Sequence, residues 1–207
     1  MDKTIPTGFY YDELDSTMDE AKRLIESGQI KDTGFVVANH QTKGRGTHGR
    51  KWSSPAGSGI YLSVIHLPEE KKYFETTTLY TQAAGVACVE SIKEVCEIQT
   101  QIKPVNDIYV DGKKLGGILV ESKLYEAGIS LLITGIGINV KKIVHNLDRT
   151  LVEPISLEEL LTKEDFQNFS KENLIEKVVS KICFWYKKVF DGNHPTIEEK
   201  WKFYSIK

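Results

Sequence analysis

Two apolar runs, Phe35-Val36-Val37-Ala38 and Gly59-Ile60-Tyr61-Leu62-Ser63-Val64-Ile65, have the length and β-branched content of buried strands. The roughly twenty residues between them are too many for a plain hairpin turn, and a connection of that length is either functional or mobile. Its first half, Gly44-Arg45-Gly46-Thr47-His48-Gly49-Arg50-Lys51-Trp52, alternates glycine with cations. A backbone free to take unusual dihedrals thereby carries guanidinium and ammonium groups that can surround a phosphate or carboxylate. The same letters satisfy G-x-G-x-x-G, but a dinucleotide site needs a helix to open at the last glycine, and Trp52-Ser53-Ser54-Pro55-Ala56-Gly57 does not open one. A solvated basic turn remains the plain alternative.

Composition narrows the partners. The chain has 207 residues, 40% of them hydrophobic and 27% charged, enough for one well-cored domain. With 27 basic against 29 acidic side chains there is no overall field toward nucleic acid or a membrane surface, so anion binding rests on local clusters. The N-terminus lacks an apolar signal region and no run reaches the length of a membrane span, which points to a cytoplasmic protein. Three cysteines, Cys88, Cys96 and Cys183, lack C-x-x-C spacing, and five scattered histidines form no H-x-x-x-H pair. No disulfide framework and no protein-ligated transition metal are expected.

Along the chain, Thr17 and Glu20 have capping-box spacing ahead of Ala21, Leu24 and Ile25, placing a helix from about residue 17 to just before Gly28. Hydroxyls and free amides at such a start are also polar contacts for a ligand carboxylate. Residues 76–97 read as a long helix that carries Cys88 and Cys96 as core residues. Asp111-Gly112 between apolar strands is the strongest hairpin signal, and it brings Lys103, Asn106, Asp107 and Lys114 together near strand ends. Glycines interrupt that hairpin at Gly116-Gly117 and the following strand, 129–140, at Gly135 and Gly137, so something approaches both backbones closely. The expected occupant is a ligand bedded against the sheet. A short helix beginning at Pro154 and a longer one over 170–190 complete the reading, with nothing catalytic on them.

Taken together, Asp15-Ser16-Thr17-Met18, Gln41-Thr42-Lys43-Gly44-Arg45-Gly46 through Trp52, Asn106-Asp107 through Lys114-Leu115-Gly116-Gly117-Ile118-Leu119, and Gly135-Ile136-Gly137-Ile138-Asn139 occur in an order that resembles the catalytic domain of biotin protein ligases, over about residues 10–140. The resemblance implies an α+β domain with a mixed central β-sheet flanked by helices, related to class II aminoacyl-tRNA synthetases and lipoate ligases. It implies one catalytic domain over 1–207, without the DNA-binding segment or the small SH3-like C-terminal domain of some relatives.

The implied reaction joins biotin to the α-phosphate of ATP as biotinyl-5'-AMP, with Mg2+, and then acylates a lysine of a biotin carboxyl carrier domain. The resemblance places Ser16, Thr17, Gln41, Gly44, Arg45, Lys114 and Gly135 against biotin, and Trp52, Asn106, Leu119 and Asn139 on the adenylate side. Arg45, Lys114 and Asp107 become the catalytic candidates, with Arg50, Lys51 and Lys103 for the outer phosphates. Since two anions meet in the first step, positioning and positive charge should dominate it. A glycine-rich loop over residues 43–58 that orders on the adenylate would keep water out. No nucleic-acid partner is expected, and the assembly is a monomer or homodimer. Thr47 departs from the family, which usually has a second arginine there, and Pro104-Val105 stands in place of a tryptophan-proline pair. The competing readings are a lipoate or octanoate ligase on the same fold and a non-catalytic biotin-binding module.

Overall fold

A computed structural model describes residues 6–68, 77–125, 128–142 and 152–206. Seven strands form one sheet, built from β1 (Thr7–Leu14), β2 (Gly34–Gln41), β3 (Gly59–His66), β4 (Gln101–Lys103), β5 (Asp107–Val110), β6 (Lys113–Tyr125) and β7 (Gly128–Asn139). The order across the sheet is β1-β2-β3-β7-β6-β5-β4. β1 runs parallel to β2 and each other neighbouring pair is antiparallel, so the sheet is mixed, as the α+β expectation required. Asp111 and Gly112 join β5 to β6 with φ of 48° and 78°, the left-handed pair that a two-residue hairpin demands.

One face of the sheet is closed. Helix α2 (Thr77–Cys96) and helix α5 (Lys171–Phe190) pack over Ile60, Leu62, Val64, Leu132, Ile136 and Ile138. Small residues let α2 sit close: Ala83, Ala84 and Ala87 are fully buried, and a Cβ on Gly85 would come 2.8 Å from Trp201 of α6 (His194–Tyr204). The opposite face is only partly covered. Helix α1 (Thr17–Glu26) lays Met18, Ala21 and Leu24 on Val36, Ile65 and Ile133 and stops there, leaving the middle of β7 and β6 open on that side.

Two expectations need correcting. The α1 cap is Ser16, whose hydroxyl accepts from Met18 N at 3.2 Å, while Thr17 is already helical and bonds elsewhere. The helix expected from Pro154 begins only at Leu157, as α3 (Leu157–Leu160) with Ser156 and Glu159 as its capping box. Residues 153–155 instead run extended beside β6, Lys114 N donating to Glu153 O and Ile155 N to Lys114 O, both at 2.9 Å. β1, β4, α4 (Lys163–Asn168) and α6 were not foreseen. Residue 76, the expected start of α2, lies outside the described residues.

Candidate functional site

On the face that α1 leaves open lies a cavity of about 310 Å³, within the usual range for small-molecule sites. Its floor includes Gly117 and Leu119 of β6 and Gly135, Gly137 and Asn139 of β7. The glycines there are not bare. A Cβ on Gly137 would fall 2.3 Å from Trp52 Cε2, one on Gly117 would lie 3.1 Å from Trp52 Cζ3, and one on Gly135 would lie 2.8 Å from Met18 Sδ. The close approach read from these glycines is therefore made, in this structure, by two side chains of the protein. Gly116 answers to the backbone instead, a Cβ there meeting Gly137 O at 2.7 Å.

At one end the start of α1 is wired to the end of β2. Gln41 Oε1 accepts from both Thr17 N at 2.8 Å and Thr17 Oγ1 at 3.1 Å. Gln41 Nε2 donates to Ser54 Oγ at 2.9 Å, and Ser54 Oγ to Trp52 O at 3.2 Å. Beneath them Ser63 Oγ donates to Thr17 Oγ1 at 2.8 Å. Ser16, Thr17, Ser54 and Ser63 are all buried, so each hydroxyl needs such a partner. Ser63 was missed, although a lone serine inside the apolar run Gly59–His66 is a visible signal.

The basic loop is a small hairpin. Trp52 N donates to Gly44 O at 2.9 Å, Gly46 N to Arg50 O at 2.7 Å, and residues Thr47–Gly49 make a 3-10 turn at the tip. Gly44, expected at the ligand, is instead the neck of this hairpin, where a Cβ would lie 2.5 Å from Trp52 O; it is not among the cavity-lining residues. Residues beyond Trp52 are tied down: Tyr61 Oη donates to Pro55 O at 3.0 Å, Lys171 Nζ to Gly57 O at 2.8 Å, and Val140 N to Ser58 O at 3.0 Å. Within the segment 43–58, expected to order over the adenylate, residues 44–52 form this hairpin. Thr47 lines the cavity, and its hydroxyl accepts from Arg50 Nη2 at 3.1 Å.

Arg45 and Lys114 line the same cavity, from the hairpin and from β6. Lys114 Nζ sits 2.8 Å from Asp107 Oδ1 and 5.4 Å above the Trp52 ring centroid, with both ion-pair side chains 24% exposed. Arg50, Lys51, Trp52, Asn106, Leu119, Gly135 and Asn139 also line it, as do Ser16, Thr17 and Gln41. The Asn139 amide is spent on main-chain carbonyls, reaching Lys114 O at 3.2 Å and Ile155 O at 3.1 Å; Asn106 Nδ2 donates to Ile118 O at 2.7 Å. Lys103, expected at the outer phosphates, is not among the residues that line the cavity, and its ammonium lies 5.0 Å from the Tyr109 ring centroid. Val105 is 57% exposed and does not line the cavity either, whereas Val152 and Pro154 do, and nothing in their sequence marked them. Burial pushes the Cys88 thiol up to about 12 and those of Cys96 and Cys183 up to about 11, so none is an activated nucleophile.

The sequence and the fold have known counterparts. The model of the biotin/lipoate A/B protein ligase family matches residues 10–139, and the chain belongs to that family. Among its relatives, the bifunctional ligase/repressor BirA of Bacillus subtilis is 32% identical over 199 residues, covering 95% of this chain and 59% of that protein. The biotin–[acetyl-CoA-carboxylase] ligase of Mycobacterium tuberculosis is 29% identical over 166 residues, covering 77% of this chain and 58% of its own length. The chain therefore spans less than two thirds of these relatives. A biotin protein ligase of Aquifex aeolicus solved in complex with biotin and ATP superposes with a TM-score of 0.78 at 30% identity, over 97% of this chain and 78% of that one. The fold is thus that of biotin protein ligases, the class II aminoacyl-tRNA synthetase-like fold. Among the described residues no helix is long and apolar enough to cross a membrane.

Proposed function

We propose that this chain activates biotin with ATP as biotinyl-5'-AMP, releasing diphosphate, and passes the biotinyl group to a lysine of a biotin carboxyl carrier domain in the cytoplasm. The observation that carries the reading is the entry of Arg45 and Lys114, from two separate elements, into one cavity floored by β6 and β7. The solved complex of the Aquifex aeolicus relative with biotin and ATP supports it.

In the first step the biotin carboxylate oxygen forms a bond to the α-phosphorus as the bond to the bridging oxygen of diphosphate breaks. Arg45 and Lys114 offset the negative charge gathered at the carboxylate and the α-phosphoryl oxygens, with donors fixed in advance rather than recruited. Arg50 and Lys51 at the cavity edge serve the outer phosphates. Ser16, Thr17, Gln41 and Gly135 form the biotin end, and Trp52, Asn106, Leu119 and Asn139 shape the nucleotide end. In the second step the carrier lysine nitrogen forms a bond to the biotinyl carbonyl carbon as the bond to the phosphate oxygen breaks and AMP leaves; Asp107 orients the incoming ammonium, whose ordinary pKa of about 10.4 requires its proton to pass to solvent as attack proceeds. Magnesium enters with ATP. Among the described residues that line the cavity, Asp107 is the one carboxylate and it is already paired with Lys114, so phosphate oxygens and water are the fitting ligands.

The test is mass spectrometry of a biotin carrier domain incubated with the protein, ATP and biotin, alongside a parallel reaction with lipoate. A gain of one biotinyl group, and none with lipoate, is the expected result; an unmodified carrier, or lipoylation, overturns the reading.

A further inference from the structure

Arg45 is held before any substrate arrives. Its Nη1 donates to Asp19 Oδ1 of α1 at 2.6 Å and its Nη2 to Glu121 Oε1 of β6 at 3.2 Å. Lys22, one helical turn after Asp19, reaches the other oxygen of Glu121 at 2.8 Å and lies 3.9 Å from Asp19 Oδ1. Two cations and two carboxylates close a neutral ring that ties together a helix, the sheet and the cationic hairpin. Arg45, Asp19 and Glu121 keep about a third of their side-chain surface, 34%, 31% and 33%, and Lys22 keeps 43%. Isolated ion pairs so exposed usually add little to stability, but a guanidinium fork bridging two carboxylates adds direction. Arg45 Nε is buried and has no partner among the described residues.

From this geometry we propose that Asp19 and Glu121 are positioning residues for the activation step: they grip the two terminal nitrogens of Arg45, fix the hairpin against α1 and β6, and so hold the guanidinium charge at the cavity wall. This rests on the ligase reading given above. Neither carboxylate touches the reactants, and Lys22 keeps Glu121 from adding uncompensated negative charge beside an anionic substrate. Lysine at position 45 cannot do the same, because one ammonium does not present two parallel donors to two separate carboxylates.

The clamp is read first without any ligand. Trypsin at low concentration cuts next to Lys43, Arg45, Arg50 or Lys51 only when the hairpin opens, so the cutting rate follows the open population. Glu121→Gln should be cut about fivefold faster than the parent protein and Asp19→Asn/Glu121→Gln about tenfold faster, the loss expected for charge-assisted bonds at partly exposed sites. Glu13→Gln, which alters an exposed pair with His40, should be cut at the parent rate. Biotin-dependent ATP–diphosphate exchange is the second readout: in the double variant and in Arg45→Lys, kcat should fall about tenfold while KM for biotin moves less than about twofold, the signature of lost transition-state positioning. Unchanged cutting in the double variant overturns the clamp. Faster cutting with undiminished exchange overturns the positioning role, and accelerated exchange would make the carboxylates competitors of the substrate, which also overturns it. If the parent protein shows no exchange, the ligase reading fails by itself, because the cutting assay contains neither biotin nor ATP.

Discussion

Replacing Gly137 by alanine sets the hairpin against the sheet. Gly137 lies in the middle of the sheet, paired with Tyr61 on β3 and with Gly117 on β6, so its backbone cannot retreat without breaking two ladders. The new Cβ would sit 2.3 Å from Trp52 Cε2 and 2.5 Å from both Cζ2 and Nε1, where carbon atoms prefer about 3.5–4.0 Å. The indole therefore has to move by more than an ångström, and the hairpin neck, closed by Trp52 N donating to Gly44 O, moves with it. Overpacking of this kind costs about 1–3 kcal/mol. Against it stands the gain of about 0.5–1 kcal/mol from replacing a strand glycine by alanine. Gly137→Ala should thus destabilise the protein by about 1–2 kcal/mol, but stabilise a Trp52→Ala background by about 0.5–1 kcal/mol. Urea unfolding of the four proteins of this cycle, followed by the emission of Trp185 and Trp201, measures both values. A cost of the same sign and size in the two backgrounds would show that Trp52 does not fill the Gly137 seat.

Asp15 accepts from Arg23 Nη2 at 2.6 Å and from Ser16 N at 2.7 Å, and the Arg23 guanidinium holds its carboxyl down at about 2. A carboxyl depressed in the folded state stabilises the protein above its unfolded pKa of about 4. That contribution is lost as pH falls through about 2. The stability gap between the parent protein and Asp15→Asn should therefore shrink steadily from pH 4 to pH 2; a gap that keeps its neutral-pH size at pH 2 would contradict the pairing. The three cysteines should also resist a thiol reagent at pH 8, where burial leaves about one part in a thousand as thiolate or fewer. Labelling of the folded protein at the rate of a free thiol would refute the buried placement of Cys88 and Cys96 and the half-buried placement of Cys183.

What could be read from the residues follows how much of each signal is local. The β5–β6 hairpin announced itself because Asp111-Gly112 is a two-residue solution to a two-residue problem. Helix α2 did so because its buried residues recur along one uninterrupted run. Strand β1 did not, since as an edge strand it leaves Tyr10 58% exposed and mixes aromatics with acids in no alternating pattern. Helix α6 buries little beyond Ile197 and Trp201, too few positions to show a period. The glycines of β6 and β7 reported that something sits close, but glycine records a vacancy of volume and not its occupant, so Trp52 and Met18 could not be told from a ligand.

The same asymmetry governs the charges of the site. Arg45 stood out because cations flank glycines in a connecting segment, where no packing requirement explains them, and Lys114 because it lies just past the Asp111-Gly112 turn and ahead of Gly116-Gly117. Their partners Asp19, Glu121 and Asp107 lie on a helix and two strands, where an acidic residue is an ordinary occupant of a polar face. Each of these cations nonetheless has its carboxylate in place, which a partly desolvated cavity requires if its positive charge is to stay oriented in the absence of substrate. Under the proposed ligase reading, a substrate anion entering such a cavity would meet positive charges whose positions are already set, so its binding energy would go into aligning the reacting atoms rather than into ordering the protein. Under the proposed clamp, Asp19 and Glu121 are thus as much part of the site as the cations although they touch nothing that reacts, whereas Asp107 is also proposed to meet the incoming lysine.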